Sequence, residues 1–89
     1  NDQLALGVLG RLAERGVAVP EAMSVVGFDD VPVARLLAPP LTTVAVPTIE
    51  IGERAAALLI DPPQDRSQPP QIVLDVELQV RRSSMPPPG

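Results

Sequence analysis

Residues 24–44 read SVVGFDDVPVARLLAPPLTTV: an apolar β-branched run, two adjacent carboxylates, a double proline and a second β-branched run. The first run, 23–28 (MSVVGF), is short and uncharged, which predicts a central parallel strand covered by helices on both faces. Pro32 opens a short helical turn through VARLL, and Pro39-Pro40 must end it, because proline has no amide to donate to a helix interior. Residues 41–46 (LTTVAV) predict a second strand. Upstream, 3–15 (QLALGVLGRLAER) place Ala5, Leu9, Leu12 and Ala13 at i, i+4, i+7 and i+8, the stripe of an amphipathic helix. Asp2 suits its N-cap and Gly16 its C′ position, with Pro20 just beyond. A helix, a turn and a buried strand make half of a βαβ repeat, so the fold class is α/β.

Downstream, Pro47 suits the first turn of a helix in which Ile51, Ala55, Leu58 and Leu59 repeat the same spacing to about Ile60. Residues 61–70 (DPPQDRSQPP) carry four prolines and predict an extended, solvated connection. In 71–80, Ile72, Leu74, Val76, Leu78 and Val80 alternate with their neighbours, the period of a long strand with one buried face. Residues 85–89 read as a tail.

Eighty-nine residues make one domain at most, and a chain of that size buries only roughly 60–65% of its unfolded surface. Asn1-Asp2 sit where a helix cap belongs, with no strand before them to feed the helix, so the chain reads as a piece of something larger. Without Cys or His it has no disulfide, no thiolate or imidazole metal ligand and no imidazole base. Seven arginines, no lysine and eleven acids leave a net charge of −4, which argues against a phosphate-binding surface. No apolar run approaches the length of a membrane span, and Phe28 is the only aromatic residue.

Asp29 and Asp30 follow the carboxyl end of a predicted parallel strand, the edge where open α/β sheets hold ligands. A carboxylate there can accept charge-assisted hydrogen bonds from a small molecule; equally, two acids can form a turn and cap the helical turn at Pro32. Adjacent residues point to opposite sides, so the pair does not flank one bond as a hydrolase requires. Glu50 and Glu53 read as a solvated first helical turn. One of Asn1 and Asp2 caps the first helix, leaving the other for the crevice. Leu36, Leu37 and Leu6 form either core or a subunit contact.

The run NDQLALGVLGRLAERGVAVPEAMSVVGFDD, then PPLTTV before Pro47, and the closing Val80-Arg81-Arg82-Ser83 together resemble the C-terminal part of the LacI/GalR family of bacterial transcription regulators. The resemblance covers nearly the whole chain. It implies an α/β fragment of a periplasmic-binding-protein-like, two-subdomain fold with parallel sheets flanked by helices. Residues 1–44 and 76–84 would belong to the C-terminal subdomain and 47–75 to the N-terminal one, with effector bound in the cleft between subdomains. By the same resemblance Asp29, Asn1, Val46, Thr48 and Ile51 contact effector, and Leu6, Val33, Leu36 and Leu37 lie in a homodimer interface. Val46 stands where many members carry Gln, and Phe28 where Tyr is common. The implied role is sensing a small molecule, a sugar by family habit, and so shifting operator binding through a headpiece absent from this chain. A cytoplasmic, non-enzymatic protein without cofactor or metal follows. The alternative is an extracytoplasmic sugar-binding protein of the same fold.

Overall fold

The computed structural model describes residues 1–88. The chain divides into two compact units, Asn1–Val46 with Glu77 onward, and Pro47–Val76.

The first unit opens with helix α1, Asp2–Glu14. Its cap is Asn1, whose Oδ1 accepts from the Leu4 amide at 2.9 Å, and not Asp2, which is the first helical residue and is buried. The far end closes as a Schellman motif. Val17 N–H donates to the Leu12 carbonyl at 2.9 Å and Gly16 N–H to Ala13 at 3.1 Å, with Gly16 at φ +70°, where a Cβ would be strained. The covered stripe of α1 holds Asp2, Ala5, Leu9 and Leu12, while Ala13 is exposed. Ala5 joins Val25, Ala34 and Leu41 in the core, flanked by half-buried Leu9, Leu12, Val19, Val31 and Leu37.

Residues 25–29 run parallel to 42–46. Gly27 N–H donates to the Thr42 carbonyl at 2.9 Å and Asp29 N–H to Val44 at 2.8 Å, forming isolated bridges Val26–Thr42 and Asp29–Ala45. The expected strand covered on both faces is therefore corrected. Val25 is buried and Gly27 half-buried, whereas Val26 and Phe28 are 55% and 47% exposed. Helix α1 covers one face, and none of the described residues buries the other.

A 3₁₀ helix, Pro32–Leu36, follows with Pro32 in its first turn. Its Ala34 carbonyl accepts from the Leu41 amide at 2.9 Å, which turns the chain back. Strand β1, Thr43–Ala45, pairs antiparallel with β2, Glu77–Gln79, in the register Thr43–Gln79, Val44–Leu78, Ala45–Glu77. The strand expected over 71–80 is thus three residues long, because only these find a ladder partner among the described residues. Leu78 and Val80 are exposed, so the alternating face is uncovered.

Beyond β2, side chains take over from the ladder. The hydroxyl of fully buried Ser83 donates to the Val25 carbonyl at 2.6 Å and accepts from the Thr42 amide at 2.8 Å. Val25 N–H returns a bond to the Ser83 carbonyl at 2.8 Å. Thr42 Oγ1 accepts from the Arg81 amide at 2.9 Å and shares a hydrogen bond with Ser84 Oγ at 2.7 Å. The expected tail is tied at its first residue, Met85 N–H donating to Ser24 Oγ at 3.1 Å; its last residue, Gly89, lies outside the described residues.

The second unit holds helix α2, Thr48–Ile60. Pro47 is its N-cap rather than part of its first turn, and the Pro47 carbonyl accepts from Ile51 N–H at 2.9 Å. No residue of α2 is buried; of its predicted stripe only Leu58 is half-covered. The proline-rich connection after it is irregular, as expected. There the Ser67 hydroxyl and amide both donate to the Asp65 carboxylate and hold its pKa below the ordinary value.

Apolar side chains as large as Leu4, Phe28, Leu36, Leu59 and Ile60 stay exposed around a four-residue buried core. Residues 1–89 expressed alone should therefore bind a hydrophobic dye such as ANS and sediment as oligomers. A cooperative thermal transition of a monomer would contradict this.

Candidate functional site

Three carboxylates gather where α1, the 25–30 segment and β1 meet, and their surroundings assign them different jobs. Asp2, in the first turn of α1, is 2% exposed. Its Oδ1 accepts from the Thr43 hydroxyl at 2.6 Å and its Oδ2 from the Val31 amide at 2.8 Å. Its own amide donates to the Phe28 carbonyl at 3.0 Å. One side chain thus ties helix, turn and strand together, and it needs a hollow to do so. Gly27 provides it. A Cβ built there would overlap Asp2 Oδ1 and come within 2.9 Å of Leu41 Cδ2.

Asp30 is also occupied. Its Oδ1 lies 2.8 Å from Arg81 Nη1, with the two side chains 14% and 17% exposed. This is a charge contact without hydrogen-bond geometry, since buried Oδ1 has no hydrogen-bond donor, while Nη1 donates to the Leu41 carbonyl at 3.0 Å. Desolvation makes such a contact stronger than one in water, and it leaves Asp30 unavailable to a ligand.

Asp29 differs from both. Its backbone is held on each side, the amide by the Val44 carbonyl at 2.8 Å and the carbonyl by the Val46 amide at 3.4 Å. Its φ is +121°, and that of Asp30 is +59°. Two consecutive non-glycine residues in that half of the map are strained by about 1–3 kcal/mol each. Among the described residues the Asp29 carboxylate makes no ion pair, and no side-chain hydrogen bond to it is found. It is half-buried, an acceptor held by its backbone, with no donor bound to its carboxylate oxygens among the described residues.

The other predicted contacts fall in both units. Asn1 is exposed and caps α1, and the next residue, Asp2, is joined by its amide to Phe28 in the segment leading to Asp29; the Asn1 Oδ1 is used by the cap. Val46 is half-buried and joined to Asp29 through the backbone. Thr48 and Ile51 belong to the second unit, exposed on the first turns of α2 at i, i+3. Of the residues expected at a subunit contact, Leu6, Val33 and Leu36 are 43%, 44% and 78% exposed. Leu37 is half-buried against the core. Leu6, Val31 and Val33, with Asp2 and Gln3, line an open groove of about 220 Å³ between α1 and the 3₁₀ helix. The structural roles of Asp2, Gly27, Arg81 and Ser83 were not legible in the sequence. No group of acids among the described residues is arranged to hold a metal ion.

A family model for the periplasmic binding protein-like domain matches residues 1–84. The chain belongs to this family. It falls among the LacI/GalR regulators: it is 37% identical over 87 residues to a lactose operon repressor from Rhizobium radiobacter, covering 98% of this chain and 77% of the relative. It is 41% identical over 66 residues to the HTH-type transcriptional repressor PurR of Vibrio cholerae, covering 74% of this chain and 20% of that repressor. The structure of a LacI family transcriptional regulator from Enterococcus faecium with bound ribose superposes with a TM-score of 0.86 at 35% identity, over 99% of this chain and 33% of that one. The periplasmic binding protein-like chain therefore spans about a third of the solved regulator and a fifth of the V. cholerae repressor. No described helix is long and apolar enough to cross a membrane.

Gly27→Ala in the full-length protein should lower stability by about 2 kcal/mol through overpacking against Asp2 and Leu41. Asp2→Ala, which strands the Thr43 hydroxyl and the Val31 amide, should cost about 3 kcal/mol. Urea midpoints measure both, and a wild-type midpoint for either variant would refute the buried-carboxylate account.

Proposed function

We propose that the chain is part of the effector-sensing core of a LacI/GalR-type transcriptional regulator, and that Asp29 is its anchoring acceptor for a small, hydroxyl-rich effector such as a sugar. The observation that carries this reading is the division of labour among the acids. Asp2 and Asp30 are consumed by internal partners, while Asp29 keeps a free carboxylate on a strained backbone. Strain of this kind persists where surrounding contacts over-determine it, and it concentrates at ligand sites. The ribose in the E. faecium regulator supports a sugar as the ligand class.

In this reading Asn1, through its amide N–H₂, Val46, Thr48 and Ile51 share in effector binding. The aliphatic Val46 offers contact without a donor or acceptor and so favours a ligand with an apolar edge. The first unit represents part of the C-terminal subdomain, residues 1–44 and 76–84, and the second represents part of the N-terminal subdomain, residues 47–75. Effector acts by binding one conformation of the core better than another, and that differential affinity shifts operator binding by a headpiece outside this chain. No bond is made or broken, and the protein works in the cytoplasm, where its DNA is. Leu6, Val33, Leu36 and Leu37 form a homodimer contact, the first three bringing exposed apolar surface to it.

In the full-length protein, Asp29→Ala should abolish the thermal stabilisation given by ribose at 10 mM, roughly the shift that linkage predicts for a ligand well above its Kd, while operator affinity stays within about twofold. Loss of operator binding, or an unchanged ribose shift, would refute the assignment. Leu36→Glu combined with Leu6→Glu should convert the dimer to monomer in analytical ultracentrifugation, by burying uncompensated charge; an unaltered sedimentation coefficient would place the contact elsewhere.

A further inference from the structure

We propose that Arg81 is a positioning residue for Asp29, acting through Asp30. This rests on the reading of Asp29 as the effector acceptor, and it extends that reading to a residue 52 positions away in the chain. Asp29 and Asp30, at φ +121° and +59°, form one strained step of backbone. On its N-terminal side the step is fixed by the bonds of the Asp29 amide and carbonyl to Val44 and Val46. On its C-terminal side it is fixed by the Val31 amide on Asp2 Oδ2 at 2.8 Å. Between these anchors the Asp30 carboxylate meets the Arg81 guanidinium at 2.8 Å, its one ion pair among the described residues.

The guanidinium is itself well held. Arg81 Nη1 donates to the Leu41 carbonyl at 3.0 Å and the Arg81 amide to Thr42 Oγ1 at 2.9 Å. It therefore brings a fixed positive charge from just beyond β2 to the carboxylate beside Asp29. Asp30 Oδ1 is buried without a hydrogen-bond donor. Without Arg81 an uncompensated carboxylate would remain in that place, which is costly enough to drive Asp30 outward toward solvent. The step would then relax to negative φ, and the Asp29 carboxylate would turn with it. The planar guanidinium touches both Leu41 and Asp30, whereas a lysine ammonium is a single point charge, so lysine should restore only part of the arrangement.

The test uses the full-length protein, with ribose as the probe and the crystal structure of each variant as a readout independent of any ligand. Arg81→Met should weaken ribose binding by roughly tenfold or more in calorimetry, a loss of the order that released backbone strain represents. Arg81→Lys should recover part of that loss. In the Arg81→Met structure the φ angles of residues 29 and 30 should no longer both be positive, with α1 and β1 in place. A purely structural role would lower stability in Arg81→Met without moving these two angles or the ribose affinity of the folded fraction, and that result overturns the proposal. If Asp29→Ala leaves ribose affinity intact, or wild type binds no ribose, the effector reading of Asp29 fails and the backbone angles alone decide on Arg81. If Asp29→Ala abolishes binding while Arg81→Met retains both affinity and positive φ, the effector reading stands and the positioning role is wrong.

Discussion

Asp2 is a carboxylate almost entirely removed from water, with one oxygen on the Thr43 hydroxyl and the other on the Val31 amide. A carboxyl group in that position is tolerable only because both oxygens have donors, and losing either would leave a desolvated polar atom short of a partner. Much of the first unit follows from satisfying it. The helix must begin at Asp2, Gly27 must lack a side chain, Thr43 must stand opposite, and the chain must turn at Val31 so that its amide reaches back. These four requirements bring the end of the 25–29 segment, the head of α1 and β1 to one place, where Asp29 emerges.

The same region shows how neighbouring residues of one type can be given opposite tasks. Asp30 faces Arg81 in a largely desolvated contact, and Asp29 makes no ion pair among the described residues. The step between them requires two positive φ angles, so the free carboxylate of Asp29 depends on contacts made by other residues. Carboxylates with fixed internal partners on either side of an unpaired one hold its backbone in place. The C-terminal segment enters this region twice, through Arg81 at Asp30 and through Ser83, whose hydroxyl bridges the Val25 carbonyl and the Thr42 amide.

The exposed apolar surface has a related explanation. Val26 and Phe28 alternate with Val25 and Gly27 as any strand would, and α1 can cover only one side. Helix α2 has a well-formed stripe, yet none of its residues is buried by the described residues. Among the described residues neither face has a cover, and one solved regulator of the family is about three times as long as this chain.

Features governed by bonds within a few residues were legible in the sequence. The spans of α1 and α2, the Gly16 terminus, the turn after Pro32 and the irregular proline-rich connection all depend on local dihedral limits and i, i+4 periodicity. The family could also be read, because several motifs kept their order and spacing, and with it the candidacy of Asp29. Other features were decided only when distant segments met: that Asn1 and not Asp2 caps the helix, that Gly27 makes room for a carboxylate, that Asp30 is spent on Arg81, and that only three residues of the 71–80 run find a strand to pair with. Burial and hydrogen-bond partnership are properties of neighbours in space, and Asp2 finds its two donors 29 and 41 residues away. Sequence establishes which side chains can bear charge; the fold selects which charge is left free.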